Sequence, residues 1–342
     1  MDEQLLAAVA EAQEPFVDHR FQLAELEIVP GDGGYRLQGR VLDQATLRAV
    51  VAHLQQRVPD ARVMGDDVRV LRKSPPALRV VATNMTGLQR GPSWLSEQQS
   101  QVLAGTPVEV LEAGEMWSFV RLSDGYLGWM YSRYLGDAPE LAATHQVGAP
   151  YTLVYATPNY LAPVVTRLFA ATLLAAGVQE NGWVMVETVA AKGYVDPMDL
   201  RPLEDERPLD ARRRHLAHHD AMQFIGVPYL WGGTTVHGID CSGYAQLLHR
   251  LAGVVIPRDA DVQFAAGQPV DPPFRPGDLL YFGAPGDHRA VSHVGVSLGP
   301  EIDANGWGMI HSSRSRNGVY VDDVQAVDSL RERFLGGRRF LE

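Results

Sequence analysis

The chain contains one cysteine, and its surroundings favour chemistry over packing. In GVPYLWGGTTVHGIDCSGYAQLLHRLAG, Gly232, Gly233 and Gly238 permit tight turns, Asp240 can cap a helix, and Cys241 is that helix's first residue. Tyr244, Leu247, Leu248 and Leu251 follow at i, i+3, i+4 and i+7, one apolar stripe for a core. A lone cysteine is more often an inert buried side chain. At a polar helix start the case differs, because the positive end of the helix dipole favours the thiolate, the reactive form. A thiol nucleophile needs a base within hydrogen-bond reach and a third group to orient that base. SHVGVSLG supplies the base. Val294, Val296 and Leu298 alternate with His293, Gly295 and Ser297, so His293 falls on the strand face opposite the aliphatic residues, with room beside it at Gly295. GMIHSS reads as a second strand ending near His311, whose ring can fix the tautomer of His293. Cys241, His293 and His311 therefore predict a cysteine hydrolase.

The other histidines make a weaker case. His215, His218 and His219 fall on a helix predicted over 209–224, His249 lies on the nucleophile helix, and His145, His237 and His288 sit in loops. No Cys/His cluster has zinc-ligand spacing, so neither a metal nor a cofactor is expected. The run Arg212, Arg213, Arg214 reads as a solvated face.

Several elements must carry these residues. A chain of 342 residues is too long for one ordinary core and predicts two to four domains. Residues 1–74 read as a small α/β unit: a hairpin over 24–41 turning at Gly31–Gly34, then a helix capped by Asp43 with a stripe of Leu47, Val50, Val51, Leu54 and Val58, then short strands at 62–64 and 68–71. Ser74-Pro75-Pro76 is a linker signal. Residues 77–138 read as closely spaced short strands, a small β-barrel, and 149–203 repeat the pattern in diverged form. The catalytic segment occupies 210–342.

Bulk properties narrow the function. The hydrophobic fraction of 46% and charged fraction of 21% are those of a globular protein, and the net charge of −11 argues against nucleic-acid or anionic-membrane partners. One cysteine forms no intrachain disulfide. The opening MDEQLLAAVAEAQEPF has neither a basic start nor an unbroken apolar run, and no stretch has the length of a membrane span. These features read as cytoplasmic.

YLWGG, DCSG, IPRDA followed by Gln263, RPGDLLYF and HVGV occur in the order found in the NlpC/P60 cell-wall peptidases, and 210–340 resembles that family. The segment LQRGPSWLSEQQSQVLAGTPVEVL with GYLGWMYSRYL resembles a bacterial SH3 domain. The resemblance implies an α+β architecture: a papain-like NlpC/P60 catalytic domain, its Cys241 helix packed on an antiparallel sheet, preceded by two SH3-like barrels and the short α/β unit. It implies Cys-His-His catalysis by Cys241, His293 and His311, with Tyr229 beside the site. The domain order resembles the γ-D-glutamyl-L-diamino acid endopeptidases, or dipeptidyl-peptidase VI. That implies peptidoglycan-derived peptides such as L-Ala-γ-D-Glu-diaminopimelate as substrate, and the lack of an export signal in the opening residues fits their use in cell-wall recycling. In that subgroup the first SH3 domain closes one side of the cleft, and the free amine is held by a tyrosine and by the Asp and Ser flanking the nucleophile; the matching residues are Tyr126, Asp240 and Ser242. Arg258 and Asp259 follow the family pattern near the cleft, Arg258 facing the α-carboxylate of D-glutamate or forming a structural salt bridge. One departure is that Gly91 follows Arg90 where relatives often carry an acid, which removes one carboxylate from the amine site. A cysteine amidase of other acyl substrates and a non-catalytic wall-binding protein are the competing readings.

Overall fold

The structure, a computed structural model, describes residues 3–138, 142–284, 290–302 and 304–342. The chain packs as two compact units. One comprises Met1–Arg79, Gly91–Ser93 and Pro107–Arg133; the other comprises Val80–Arg90, Trp94–Thr106 and Tyr134–Glu342. The division passes through the first barrel instead of following the expected linker.

In the N-terminal segment, α1 (Glu3–Gln13) precedes the hairpin of β1 (Ala24–Gly31) and β2 (Gly34–Val41). Asp43 caps α2 (Gln44–Arg57) by accepting from Thr46 N at 2.9 Å. β3 (Val63–Met64) and β4 (Val68–Val70) both run parallel to β2. Leu5, Val9, Leu26, Leu37, Val50 and Leu54 form the core between sheet and helices. No capping signal in the sequence marks α1; the structure pins it at its C-terminal end, where the Gln13 side chain exchanges hydrogen bonds with the backbone of Leu26.

Next come β5 (Leu78–Val81), β6 (Met85–Gln89), β7 (Gln98–Leu103), β8 (Pro107–Glu112), β9 (Trp117–Leu122), β10 (Leu127–Tyr131) and β11 (Leu135–Gly136). Then follow β12 (His145–Val147), β13 (Tyr151–Tyr155), β14 (Val164–Phe169), β15 (Leu173–Glu180), β16 (Trp183–Glu187), β17 (Lys192–Val195) and β18 (Leu200–Pro202). Both sets use the same antiparallel pairings. The last strand pairs with the first, the second with the third, and the fourth, fifth and sixth form a meander. The second segment is thus a structural repeat of the first, around its own core of Val147, Val154, Leu168, Leu174, Val184 and Val195. It begins four residues before the expected boundary at 149, because β12 is too short to show alternation. His145 is therefore a strand residue, not a loop one.

In the C-terminal segment α3 (Leu209–His215) continues through irregular helical turns to Phe224. A short hairpin of β19 (Thr234–Thr235) and β20 (Gly238–Ile239) leads into α4 (Cys241–Leu251), followed by α5 (Ala260–Ala266). The sheet behind them has the order β21 (Gln268–Val270), β26 (Phe334–Arg339), β22 (Leu279–Gly283), β23 (Val291–Ser297), β24 (Gly308–Ser313), β25 (Gly318–Asp323), all antiparallel. Tyr244, Leu247, Leu248 and Leu251 are buried as their spacing predicts, in one core with Val294, Val296 and Ile310. No helix among the described residues is long and apolar enough to cross a membrane.

The arginine run on α3 departs from expectation. Arg213 is buried, with Nη1 3.4 Å from Oδ1 of the fully buried Asp278. Arg339 donates to both oxygens of that carboxylate at 2.8 and 2.7 Å, and Arg275 N adds a third donor at 2.8 Å. A buried carboxylate needs such partners. Arg214 does face solvent, 3.6 Å from Glu301. Asp278→Ala should therefore leave Arg213 and Arg339 unpaired inside the protein and cost about 3–5 kcal/mol, read as a lowered urea midpoint. A loss below about 1 kcal/mol would mean that the cluster does not hold α3 to the sheet.

Candidate active site

The local sequence places the thiol with several independent restraints. Asp240 accepts from Gly243 N at 2.7 Å, which caps α4, and from Gly232 N at 2.8 Å, which draws the glycine loop against the helix start. Arg258 grips the same carboxylate with two nitrogens at 3.0 and 2.6 Å. Gln263, fully buried on α5, donates to Ser242 O at 3.1 Å and Pro257 O at 2.7 Å. The thiol of Cys241 lies against the backbone N–H of Val294, the residue after His293, and that of Ser242.

The base is built on the sheet. Val296 pairs with Ile310 and Ser297 with Met309, a register that sets Gly295 opposite His311. A Cβ on Gly295 would lie 2.5 Å from Met309 Sδ and 3.2 Å from His311 Cβ, so the room foreseen at this glycine is filled by β24. His293 Nε2 and His311 Nδ1 are 2.6 Å apart, and His311 Nε2 lies 3.2 Å from Asp322 Oδ2. Burial raises the Asp322 carboxyl above its ordinary value, and Arg316, donating to it at 2.8 Å, pulls it back toward the charged form. A carboxylate only accepts, so His311 carries its proton on Nε2. Its Nδ1 then accepts from His293 Nε2–H, and His293 Nδ1 is left as the base. Asp322 thus sets two tautomers in series. Nothing in the local sequence singled it out.

Electrostatics revise the expected resting state. Burial first, then the nearby Asp240 carboxylate, push Cys241 up to about 12, although the N–H groups and Arg258 pull the other way. Burial lowers His293 to about 3, with His311 and Arg333 adding to it, and lowers His311 to about 4. The resting pair is a neutral thiol and a neutral imidazole. The helix end does not yield a free thiolate here, because burial outweighs the dipole.

Of the residues expected at the substrate, five lie in the second compact unit and Tyr126 in the first. Tyr229 sits beside the site: burial, then Cys241, raise its phenol, and Arg314 lies over its ring at 5.5 Å. Asp240 and Ser242 face inward instead. Asp240 accepts from three backbone or guanidinium donors besides its helix cap, and Ser242 Oγ accepts from Arg258 at 2.9 Å. Asp240 therefore has its charge met by Arg258, and of the two roles open to Arg258 the structure takes the salt bridge. Asp259 is half-buried at the start of α5. Tyr126 belongs to the first compact unit, 3% exposed and edge-on to Phe21. The first hairpin does bring a carboxylate to the catalytic segment, though not at position 91. Trp231 Nε1 donates to Glu97 at 2.8 Å.

Among the remaining histidines, His249 is fully buried with Nδ1 2.9 Å from Ala245 O, and His288 lies outside the described residues. His215, His219 and Asp220 place one ligand atom each within 4.8 Å of one another. Arg201 already holds both oxygens of Asp220 at 2.9 and 2.7 Å and approaches His215 at 3.1 Å, so a guanidinium fills the position of a cation.

Comparison with known proteins places the chain among related sequences. Residues 226–339 match the NlpC/P60 family, and residues 88–135 match the bacterial dipeptidyl-peptidase SH3 domain. The chain is 31% identical over 235 residues to the γ-D-glutamyl-L-lysine dipeptidyl-peptidase of Bacillus subtilis (strain 168), covering 65% of this chain and 75% of that one. It is 26% identical over 262 residues to dipeptidyl-peptidase 6 of Lysinibacillus sphaericus, covering 72% and 91%. A crystal structure of an NlpC/P60 family protein from Bacillus cereus ATCC 10987 shares the fold with a TM-score of 0.66 at 22% identity, covering 78% of this chain and all of that one.

If Asp322 fixes both histidine tautomers, Asp322→Asn should lower kcat about 10- to 100-fold, the usual effect of losing an orienting partner, while thermal stability holds. His311→Ala should be at least as harmful. An unchanged kcat for Asp322→Asn would place Asp322 outside the relay.

Proposed function

This chain belongs to the NlpC/P60 family and is a peptidase, and on that premise we propose that it cuts the γ-D-glutamyl–diamino acid bond of peptidoglycan stem peptides from a free N-terminal L-alanine. The observation that carries this reading is the Cys241 thiol against Val294 N–H, next to the His293–His311–Asp322 relay. His293 Nδ1 takes the thiol proton as sulfur attacks the carbonyl carbon. The amide C–N bond breaks, the departing amine takes that proton, and a thioester remains. Water, deprotonated by His293, then cleaves the thioester and restores the thiol. Because the resting pair is neutral, the thiolate forms only along with attack. The names of the relatives support the choice of substrate.

We further place the reaction in the cytoplasm, in recycling of murein peptides. A single cysteine kept for chemistry, with no disulfide to maintain, supports that reading. A binding-only role has no use for a His–His–Asp relay that starts on the strand whose Val294 N–H lies against the thiol.

Mass spectrometry of L-Ala-γ-D-Glu-diaminopimelate incubated with the protein should show L-Ala-γ-D-Glu and free diaminopimelate, and Cys241→Ala should show neither. N-acetylation of the L-alanine should lower kcat/KM roughly tenfold or more, since 1.4 kcal/mol of lost transition-state stabilisation is one decade. Equal values would remove the requirement for a free amine. Absence of cleavage in both peptides would remove the substrate.

A further inference from the structure

Arg258 had two possible roles by sequence, and the structure commits that residue to Asp240. Other cations are also occupied: Arg316 pairs with Asp322 at 2.8 Å, Arg333 donates to Ser292 at 2.7 Å, and Arg90 lies 3.5 Å from Glu97, the partner of Trp231. Arg314 is different. It is exposed, and among the described residues no carboxylate forms an ion pair with it.

Its position is nevertheless fixed. Ser312, two residues earlier, donates to Ile239 O at 2.6 Å, and Ile239 lies two residues before Cys241. Tyr229 bridges the same Ile239 through the backbone. The Arg314 guanidinium stands over the rings of Tyr229 at 5.5 Å and Trp231 at 5.4 Å, and the Tyr229 hydroxyl bonds to it. Trp231, 52% exposed, is itself tethered to Glu97. Two aromatic faces therefore hold a solvent-facing, planar donor beside the nucleophile loop, and Cys241 and Asp240 both act on its charge. A guanidinium so held has the fork geometry that binds a carboxylate by two parallel hydrogen bonds.

The geometry points to Arg314 as a binding residue for a substrate carboxylate close to the scissile carbonyl. The identity of that carboxylate rests on the proposed function. A γ-glutamyl amide keeps its α-carboxylate a few bonds from the carbonyl under attack, and the diamino acid contributes another on the leaving side.

Alkylation of Cys241 tests the site without any peptide. Iodoacetate and iodoacetamide both form an S–C bond with loss of iodide, but only iodoacetate carries a carboxylate. The ratio of their rates, iodoacetate over iodoacetamide, should fall about tenfold in Arg314→Gln, as expected for loss of one charge-assisted contact, and Arg314→Lys should lie between. The same ratio in all three proteins would overturn the assignment. With peptides, Arg314→Gln should raise KM about tenfold on L-Ala-γ-D-Glu-diaminopimelate. Amidation of the α-carboxylate, or of the leaving-side carboxylate, should erase the difference between the unsubstituted protein and Arg314→Gln for whichever group Arg314 binds. If neither amidation erases it, Arg314 is not a carboxylate site. If no γ-glutamyl peptide is cut, the substrate reading falls while the alkylation ratio still decides the role of Arg314.

Discussion

The buried carboxylate of Asp240 is the point to which the catalytic centre is referred. Its oxygens accept from Gly243 N, Gly232 N and two nitrogens of Arg258, so one side chain starts α4, closes the glycine loop and anchors the segment before α5. Arg258 extends the fixture: its Nε donates to Ser100 on β7 at 3.1 Å and its Nη1 to Ser242 at 2.9 Å. Removing one partner of such a buried pair costs about 3–5 kcal/mol, because the other charge is left uncompensated. Here the loss would fall on the residues flanking the nucleophile, so stability and the placement of Cys241 are the same property.

Burial also shapes reactivity. It raises the thiol, with Asp240 adding more than Arg258 takes away, and it lowers both histidines. A neutral pair resists adventitious oxidation and alkylation, because the thiolate is the reactive form. Its cost is that proton transfer must accompany attack, which makes the tautomer of His293 decisive. That explains why the base is followed by a second ring and a carboxylate instead of by water.

How much was legible in the sequence follows from range. Cys241 and His293 could be read because helix and strand periodicity are local, and Asp240 could be read as a cap for the same reason. Its ionic partner could not be fixed, since Arg258 lies 18 residues on. Arg213 looked like one of three surface arginines because Asp278, which buries it, is 65 residues away. Asp322 was hidden among GVYVDDV, two adjacent acids at a strand end. The pairing of His311 with Tyr320 puts Tyr320 and Asp322 on one face of β25, and only that register picks one acid from the other. The resting charge state depends on burial from every side, which no local pattern encodes.

The pairing of a barrel with the catalytic segment has a structural reason beside any role in recognition. Strand β7 forms a wall of the nucleophile loop: Gln101 N donates to Gly232 O at 2.9 Å, Thr234 N donates to Gln101 Oε1 at 2.9 Å, and Trp231 O accepts from Gln98 at 3.4 Å. Gly232 is held at φ +74°, where a Cβ would sit 2.5 Å from the Gln98 carbonyl, so loop and strand touch backbone to backbone. Without β7, the loop carbonyl of Gly232, the N–H of Thr234 and the Nε of Arg258 would each lose a partner. Every buried polar group left unsatisfied costs about 1–3 kcal/mol. The segment matching NlpC/P60 is therefore not a self-sufficient unit in this chain. Its active-site loop takes its shape from β7, so a substitution on that strand acts on the nucleophile through Gly232 and Arg258 even where it touches no substrate.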